Sequence, residues 1–309
     1  MGSAAGAELC AAVCNAGGLG SIALTWRDAY KAQDLIRCVK SLTPKIFFAN
    51  YVLHFEPRHL GAALDAGVPM ITFSWGDPSK YVADVRSAGA LLGLQATSAA
   101  SAQAMLEFEP DFLIAQGIEA GGHVQAHWPL DQALAEVVRV AGSMQVLAAG
   151  GLATGADLAR VMGLGAAGGV FGTRFVATYE SEAHPSYRER LVEARAEDTV
   201  LTTCFDGDWP YAAHRVLRNS TFERWETAGC PSHDLRPGEG EVVGLTTSGT
   251  QVFRYDDTMP RADTSGDWEA MALYAGTSVD GIGSVSSATE VVAEIWTEAR
   301  KYMTERSRS

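Results

Sequence analysis

The chain has 309 residues, of which 47% are hydrophobic and 20% are charged, and its formal net charge is -13. This composition is typical of a soluble globular protein and excludes a disordered one. The negative charge argues against nucleic acid or an anionic membrane as the main partner, because neither attracts a polyanion at long range. The length leaves two organisations open, one large barrel or two ordinary domains.

The cysteines and the N-terminus bear on the compartment. The five cysteines are an odd number, and they form no Cys-x-x-Cys pair and no zinc-type spacing with histidine. The N-terminus lacks the basic and apolar segments of a secretory signal, and no apolar run is long enough to span a bilayer. We therefore predict a cytoplasmic protein with reduced thiols, without a metal site and without a membrane partner.

Apolar and amphipathic segments alternate through the first half of the chain. An alanine-rich helix is predicted over residues 5–16. Seven strands bounded by turn residues are predicted at 20–24, 45–52, 70–74, 91–96, 112–115, 145–149 and 170–175. Six helices are predicted between these strands. The first runs from a Thr25-x-x-Asp28 capping box to Leu42, the second follows Pro57, and the third follows Asp77-Pro78. The other three are predicted at 98–107, 130–141 and 154–163.

Strands and helices that alternate at this length indicate a parallel sheet covered by helices. The leading helix has no strand before it. The α/β fold class that fits best is a (β/α)8 TIM-type barrel lacking its first strand, in preference to a doubly wound sheet. Buried strands look alike in both folds, so periodicity alone does not separate them.

The pattern changes after residue 178. A helix is predicted at 183–196, an irregular stretch with four prolines at 199–274, and a terminal helix at 288–303. We therefore expect a smaller cap or insertion domain after the last strand. The expected boundaries are 1–197 for the barrel, 198–280 for the substrate/cap region, and 281–309 for a C-terminal helix that packs back on the barrel.

The stretch from Ile114 to His123 has the features of a functional loop. An apolar strand pattern ends at Gly117, and Gly121-Gly122 allow the backbone to approach another group closely before His123. A histidine at such a position can exchange a proton near neutral pH. The alternative is a loop histidine without a chemical role.

Two glycine turns accompany the last two predicted strands. Gly150-Gly151 comes after the strand at 145–149, and Gly172-Thr173 lies in the last strand segment. In (β/α)8 barrels these loops commonly bind phosphate with backbone N–H groups and a helix N-terminus. Each could also be an ordinary turn, but two in succession beside His123 favour a shared ligand site.

Five sequence motifs carry a family resemblance. They are Asn15-Ala-Gly-Gly-Leu-Gly-Ser-Ile, Gln116-Gly-Ile-Glu-Ala-Gly-Gly-His, Ala148-Ala-Gly-Gly-Leu-Ala, Gly172-Thr-Arg-Phe and Tyr274-Ala-Gly-Thr-Ser. In this order the chain resembles the nitronate monooxygenases, formerly called 2-nitropropane dioxygenases. The Glu-Ala-Gly-Gly-His element is fairly specific for that family, whereas several FMN-binding barrels share the glycine turns.

The resemblance implies an FMN-bearing barrel that oxidises alkyl nitronates or nitroalkanes with dioxygen to a carbonyl compound and nitrite. It implies that His123 is the catalytic histidine and that Gly150, Gly151, Gly172 and Thr173 hold the flavin phosphate. The full set of implied flavin-binding residues is Met1, Gly2, Asn50, Gln95, Gly121, Gly122, Ala149, Gly150, Gly151, Gly172, Thr173 and Ser278. The partners are then a small nitronate and dioxygen, and a homodimer is left open.

The chain departs from the family pattern at three points. The first strand is absent, Gln125 stands where many relatives have glycine, and Gln95 stands where some have lysine. Two alternatives therefore remain: an NAD(P)H-dependent quinone or enoyl-thioester reductase on the same barrel, and a flavin-poor barrel without catalysis. No Gly-x-Gly-x-x-Gly dinucleotide motif is present, which is weak evidence against the reductase.

Other aromatic and histidine residues receive a structural interpretation from the sequence. We expect interior packing, in preference to a role in lining a substrate pocket, for Trp75, Trp209 and Trp225. His54 and His59 flank Pro57 and are expected at the surface beside a strand end.

Overall fold

The computed structural model describes residues 4–207 and 209–306. Its centre is a curled, parallel seven-stranded sheet in the order β1-β2-β3-β4-β5-β7-β8. These strands are β1 Gly20–Ala23, β2 Phe47–Val52, β3 Met70–Ser74, β4 Leu91–Ala96, β5 Phe112–Gln116, β7 Gln145–Ala149 and β8 Gly168–Val170, with β6 Gly122–His123 lying outside this sheet. The seven-stranded parallel, barrel-like α/β fold predicted from the sequence is confirmed.

The helices cover the sheet because their apolar faces pack on its outer side. The side chains of Ile36, Leu134 and Leu158, from three different helices, belong to one core cluster with strand residues. The helices are α1 Ala7–Asn15, α2 Ala29–Leu42, α3 Leu60–Asp65, α4 Val82–Ser87, α5 Ala99–Leu106, α6 Leu130–Ala141, α7 Gly155–Gly163, α8 Thr173–Val176, α9 Pro185–Glu193, α10 Ser220–Thr227 and α11 Ala288–Arg306.

The parallel register brings all carboxyl ends of the strands to one edge. Ala49 of β2, for example, pairs with Ile22 of β1 on one side and with Ile71 of β3 on the other. In parallel sheets covered by helices, ligands bind at this edge. The loops that follow β5, β7 and β8 therefore meet where a site is expected.

Among the described residues, no strand pairs with the outer edge of β1 or of β8. A groove of about 950 Å³ lies between these two strands, and α1 and α11 contribute to its apolar lining with Leu9, Val13, Val292 and Ile295. The groove is the gap that an eighth strand fills in a closed barrel.

Three predicted element ends were wrong. The segment predicted as a strand at 170–175 is split, because β8 ends at Val170 and Gly172 begins a helical turn by accepting from the Phe175 amide at 2.9 Å. A short apolar run is ambiguous between strand and helix. Asp28 caps α2 by accepting from the Lys31 amide at 2.8 Å, but Thr25 does not complete a capping box, since its hydroxyl accepts from the amide of Val52.

The third error concerns Asp77-Pro78, which does not open a helix directly. The Asp77 carboxylate accepts from the Ser79 amide at 2.9 Å in a local turn, and α4 begins only at Val82. Asp at this position satisfies the turn and leaves the helix to start later.

The stretch at 199–274 is more regular than its sequence pattern indicated. It holds strands β9 Thr199–Thr202, β10 His214–Leu217, β11 Val242–Thr246, β12 Gln251–Phe253 and β13 Thr264–Gly266. These form two antiparallel sheets, β6-β10-β9 and β12-β11-β13. The first sheet recruits β6 from the loop after β5, so this stretch joins the barrel at His123.

The terminal helix α11 packs against α7. The Glu298 carboxylate of α11 accepts from the Gly155 amide at the start of α7 at 2.7 Å. Within residues 4–207 and 209–306, no helix combines the length and apolar character needed to cross a bilayer.

Candidate functional site

Three glutamines tie the loop after β5 back to the sheet. Gln116, the last residue of β5, accepts from the Gln125 amide at 2.9 Å and donates from Nε2 to the His123 carbonyl at 3.3 Å. Gln95 of β4 donates from Nε2 to Gln125 Oε1 at 3.1 Å. These bonds hold the His123 loop over the carboxyl ends of β4 and β5.

A contact between two backbone segments fixes the loop just before His123. A Cβ atom on Gly276 would lie 2.7 Å from the Glu119 carbonyl oxygen and 2.8 Å from the Gly121 amide nitrogen, so only glycine fits there. The Thr277 amide donates to the same Glu119 carbonyl at 3.1 Å. The group that approaches Gly121 closely is therefore the late turn at 274–278 of this chain.

Strand β10 holds the loop from the other side. His123 of β6 and His214 of β10 are register partners in an antiparallel pair. The Arg215 guanidinium donates to the Ile118 carbonyl at 2.9 Å, near the beginning of the loop. The position of His123 thus depends on residues about ninety positions later, which local sequence patterns do not reveal.

The His123 imidazole is enclosed by other rings. It stacks on Trp209, with ring centroids 4.5 Å apart and planes inclined by 22°, and meets His214 edge to face at 5.3 Å. Its Nε2 atom is buried and has no hydrogen-bond partner in the described part of the chain. Burial, reinforced by the nearby His214 and His54 side chains, lowers the pKa of His123 to about 3.

The free His123 ring is therefore neutral at neutral pH. The sequence led us to expect proton exchange near neutrality, which this burial opposes. A neutral imidazole with an unpartnered, buried nitrogen can accept or donate one hydrogen bond to a ligand, depending on its tautomer.

His214 is fully buried and has both ring nitrogens engaged. Its Nδ1 donates to the Ala212 carbonyl at 2.9 Å, and its Nε2 accepts from the Phe205 amide at 3.1 Å. These two bonds select the neutral tautomer with the proton on Nδ1. Burial lowers the pKa of His214 to about 4, so the ring stays neutral and shapes the site without offering a free nitrogen.

His123 belongs to an aromatic cluster centred on Trp209, here called the Trp209 cluster. Its members are Trp209, His123, His54, Trp75 and Phe55. Trp209 stacks on His54 at 4.8 Å with planes 13° apart, and it meets Trp75 at 4.7 Å and Phe55 at 5.4 Å edge to face. Trp75 follows β3 with a φ of +61°, a conformation that bulky residues rarely adopt.

The sequence favoured interior packing for the tryptophans, and the outcome differs among them. Trp225 packs on Phe222 and donates to the Pro231 carbonyl at 3.0 Å, as a structural residue does. Trp209 is buried, but its partner is His123, and Trp75 packs against Trp209. His54 is exposed, as expected, and its ring also stacks on the Trp209 indole.

The Gly150-Gly151 turn after β7 offers backbone donors. The two residues adopt φ values of +127° and +67°. A Cβ atom on Gly151 would lie 2.9 Å from Glu119 Cβ and 3.1 Å from Thr277 Oγ1. Neither glycine amide donates a hydrogen bond to another described residue. Two adjacent free N–H groups at the carboxyl edge of a parallel sheet suit an anion such as phosphate.

Thr173 and Ser278 are buried beside the same turn at 274–278. Thr173 Oγ1, in the first residue of α8, accepts from the Gly276 amide at 2.9 Å. Ser278 lies in the 3₁₀ turn Thr277–Gly281. Gly172 precedes α8 with a φ of -101°, which does not require glycine. The turn at 274–278 therefore joins the loops after β5, β7 and β8.

The other residues singled out from the sequence lie on or near the same edge. Asn50 of β2 donates from Nδ2 to Thr72 Oγ1 at 3.0 Å, and the carbonyl of Ala149, which ends β7, accepts from the Gly117 amide at 2.9 Å. Met1 and Gly2 lie outside the described residues. Sequence reasoning missed His214 and Gly276, and the only signal was the glycine in the Tyr274-Ala-Gly-Thr-Ser motif.

The family model for nitronate monooxygenase matches residues 55–298 of the chain. A curated nitronate monooxygenase of Pseudomonas aeruginosa is 32% identical over 72% of this chain and 76% of its own length. A solved structure of nitroalkane oxidase from Streptomyces ansochromogenes superposes with a TM-score of 0.79 at 28% identity, covering 98% of this chain and 94% of that one.

A relative with a different name is equally similar. The (3aS,4S,5R,7aS)-5-hydroxy-7a-methyl-1-oxo-octahydro-1H-indene-4-carboxyl-CoA dehydrogenase of Mycobacterium tuberculosis is 33% identical over 74% of this chain. The chain spans 64% of the length of that relative. Relatives of this chain are thus named for two different reactions.

Proposed function

The chain belongs to the nitronate monooxygenase family, and on this premise we propose that it is an FMN-dependent enzyme that oxidises alkyl nitronates with dioxygen to a carbonyl compound and nitrite. The observation that carries the proposal is the buried, unpartnered Nε2 of His123 at the carboxyl edge of the sheet. The family match and the nitronate monooxygenase and nitroalkane oxidase relatives support it.

The residues present fit a flavin mononucleotide. The free amides of Gly150 and Gly151 are proposed to bind its phosphate, with Thr173 and Ser278 lining the adjoining loops. Asn50 and Gln95 are proposed to contact the ring system from β2 and β4. When bound there, FMN would supply the redox chemistry between the substrate and dioxygen.

The proposed role of His123 follows from its low pKa. A ring with a pKa of about 3 is a weak base at neutral pH, so it is poorly suited to removing a carbon-bound proton from a neutral nitroalkane. A neutral imidazole can instead donate a hydrogen bond from Nε2 to a nitronate oxygen. This favours preformed nitronates over neutral nitroalkanes as substrates.

The proposed cap at residues 198–280 covers the substrate. The proposed barrel comprises residues 1–197, and the proposed C-terminal helical segment comprises residues 281–309. The strands β9 and β10 and the Trp209 cluster support a covering role, because they enclose His123. We also keep the cytoplasm as the proposed compartment, on the basis of the five free cysteines in the described residues.

The proposal is tested with purified protein that has been loaded with FMN. Ethylnitronate and nitroethane are supplied separately in air, and oxygen uptake and nitrite are recorded together. We expect oxygen loss coupled to nitrite release with ethylnitronate and much slower turnover of nitroethane. A flavin-loaded preparation that releases no nitrite from either compound rejects the proposal.

A second candidate is an NAD(P)H-dependent reductase of a quinone or an unsaturated acyl thioester. The similarity to the carboxyl-CoA dehydrogenase favours thioester chemistry on this barrel. Anaerobic bleaching of the bound flavin by NADPH, without any response to nitronate, would support this candidate. A protein that stays colourless after addition of FMN would support the flavin-poor alternative.

A further inference from the structure

We propose that Trp209 limits the size of the substrate, so that the site accepts compact nitronates and excludes cyclic or aryl ones. This inference rests on the proposed function, because it concerns the space beside His123. The Trp209 side chain is 3% exposed, and its ring centroid lies 4.5 Å from that of His123. The indole therefore fills space that a larger substrate group next to His123 would need.

Two imidazole rings already stack on the Trp209 indole. The ring centroids of His123 and His54 lie 4.5 and 4.8 Å from that of the indole, with planes inclined by 22° and 13°. The indole surface that these rings cover is not available for stacking by an aromatic substrate. The indole acts by occupying volume and not by attracting a planar ligand.

The edges of the indole are also held in place. Trp75 and Phe55 meet it edge to face at 4.7 and 5.4 Å. The positive φ of Trp75, +61°, is unusual for a bulky residue, and it directs this ring from the end of β3 toward Trp209. Uncommon backbone conformations of this kind cluster at binding sites.

His214 and Arg236 anchor the chain on both sides of Trp209. The His214 ring bonds the Phe205 amide before Trp209 and the Ala212 carbonyl after it. The buried Arg236 guanidinium donates to the Asp206 carboxylate at 2.8 Å. Since these anchors are buried, the indole is a fixed wall of the site, and a larger substrate cannot displace it at low cost.

The test uses carboxylates as unreactive analogues of nitronates, because both are planar groups with one negative charge shared by two oxygens. Binding of propionate and of cyclohexanecarboxylate to the FMN-loaded protein is measured by calorimetry. In Trp209→Ala we expect the ratio of the two affinities to shift toward cyclohexanecarboxylate by about tenfold or more, which is the discrimination that an apolar pocket achieves for one small group. Trp209→Phe should shift it less in the same direction.

Trp268→Ala is the matched control, because Trp268 also stacks on a histidine, His184, with centroids 5.6 Å apart and planes 12° apart. In Trp268→Ala the ratio of the affinities for propionate and cyclohexanecarboxylate should equal that of the wild type. An unchanged ratio in Trp209→Ala, or an equal shift in Trp268→Ala, overturns the proposal. If Trp209→Ala does not fold, the ratios of Trp209→Leu and Trp209→Phe decide in the same way.

Turnover provides a second readout that separates this inference from the proposed function. In Trp209→Ala, kcat/KM for the nitronate of nitrocyclohexane should rise relative to kcat/KM for ethylnitronate. If the wild type releases no nitrite from either nitronate, the proposed function fails, whereas the carboxylate affinities still decide whether Trp209 limits size.

Discussion

His123 and His214 are register partners across the β6–β10 pair, and their rings lie 5.3 Å apart, edge to face. One ring has a buried nitrogen without a partner, and the other has both nitrogens bonded to the backbone. The pair therefore separates two roles: His123 is available to a ligand, and His214 holds the surrounding chain.

The first prediction concerns His123. His123→Ala should lower kcat/KM for ethylnitronate by roughly 10- to 100-fold, because a hydrogen bond to a charged group contributes about 1.5–3 kcal/mol. Flavin content should stay the same, since the ring of His123 is not a proposed phosphate ligand. His123→Asn keeps a hydrogen-bond donor, so its kcat/KM for ethylnitronate should fall less than that of His123→Ala. Equal loss of flavin in both variants would assign His123 a structural role instead.

The second prediction concerns stability and pH. The pKa values of His123 and His214 are lowered from 6.5 to about 3 and about 4, so in this range the unfolded chain binds more protons than the folded one. Their stabilising contribution is complete above the unfolded value and is lost as the pH falls toward the folded values. The urea midpoint should therefore decrease between pH 7.5 and pH 5.

His214→Leu tests which residue causes this dependence. The variant removes one buried neutral histidine, so its stability should decrease less than that of the wild type between pH 7.5 and pH 5. At pH 7.5 its free energy of unfolding should be lower than that of the wild type by ~2 kcal/mol, because two backbone groups lose their hydrogen-bond partner. A pH dependence identical to that of the wild type would show that folding does not lower the pKa of His214.

The third prediction concerns the glycine turn. Gly151→Ala should weaken FMN binding, because a Cβ atom there would lie 2.9 Å from Glu119 Cβ and the residue has a φ of +67°. Gly89→Ala is the matched control, since Gly89 has a similar φ of +71° but open space around it. Each variant should lose about 1–2 kcal/mol of stability from its positive φ, Gly151→Ala should lose more because of the contact with Glu119, and only Gly151→Ala should lose flavin affinity, measured by quenching of flavin fluorescence. Equal flavin affinity in the two variants would contradict a role of this turn.

The fourth prediction concerns the link between α8 and the late turn. Thr173→Val removes the hydroxyl that accepts from the Gly276 amide at 2.9 Å. A buried amide without a partner costs about 1–3 kcal/mol, so the free energy of unfolding should fall by that amount. Thr173→Ser keeps the hydroxyl and should restore most of it. Equal destabilisation by Thr173→Ser, which keeps the hydroxyl, would contradict the assignment of the effect to this hydrogen bond.

The sequence was sufficient for the barrel because each of its elements is local. Alternating apolar and amphipathic segments predicted all seven strands of the parallel sheet, and errors arose at ends such as Val170, where a short apolar run suits either strand or helix. The terminal helix was predicted for the same reason, since its apolar residues recur on one face.

The surroundings of His123 were not predictable because they depend on distant pairing. His214 and Trp209 reach His123 through the β6–β10 pair, and nothing in the local pattern at 199–274 indicates that pairing. The pKa of His123 depends in turn on this enclosure. Proton exchange near neutrality was therefore the natural expectation from sequence, and burial by remote residues is what changes it.

Anaerobic mixing of the FMN-loaded protein with ethylnitronate, with NADPH in a parallel experiment, tests whether a nitronate is the electron donor of this site. The flavin absorbance is recorded in both experiments. Ethylnitronate should bleach the flavin and NADPH should not, and admission of air should restore the absorbance with release of nitrite. Bleaching by NADPH alone would instead assign the site to a reductase.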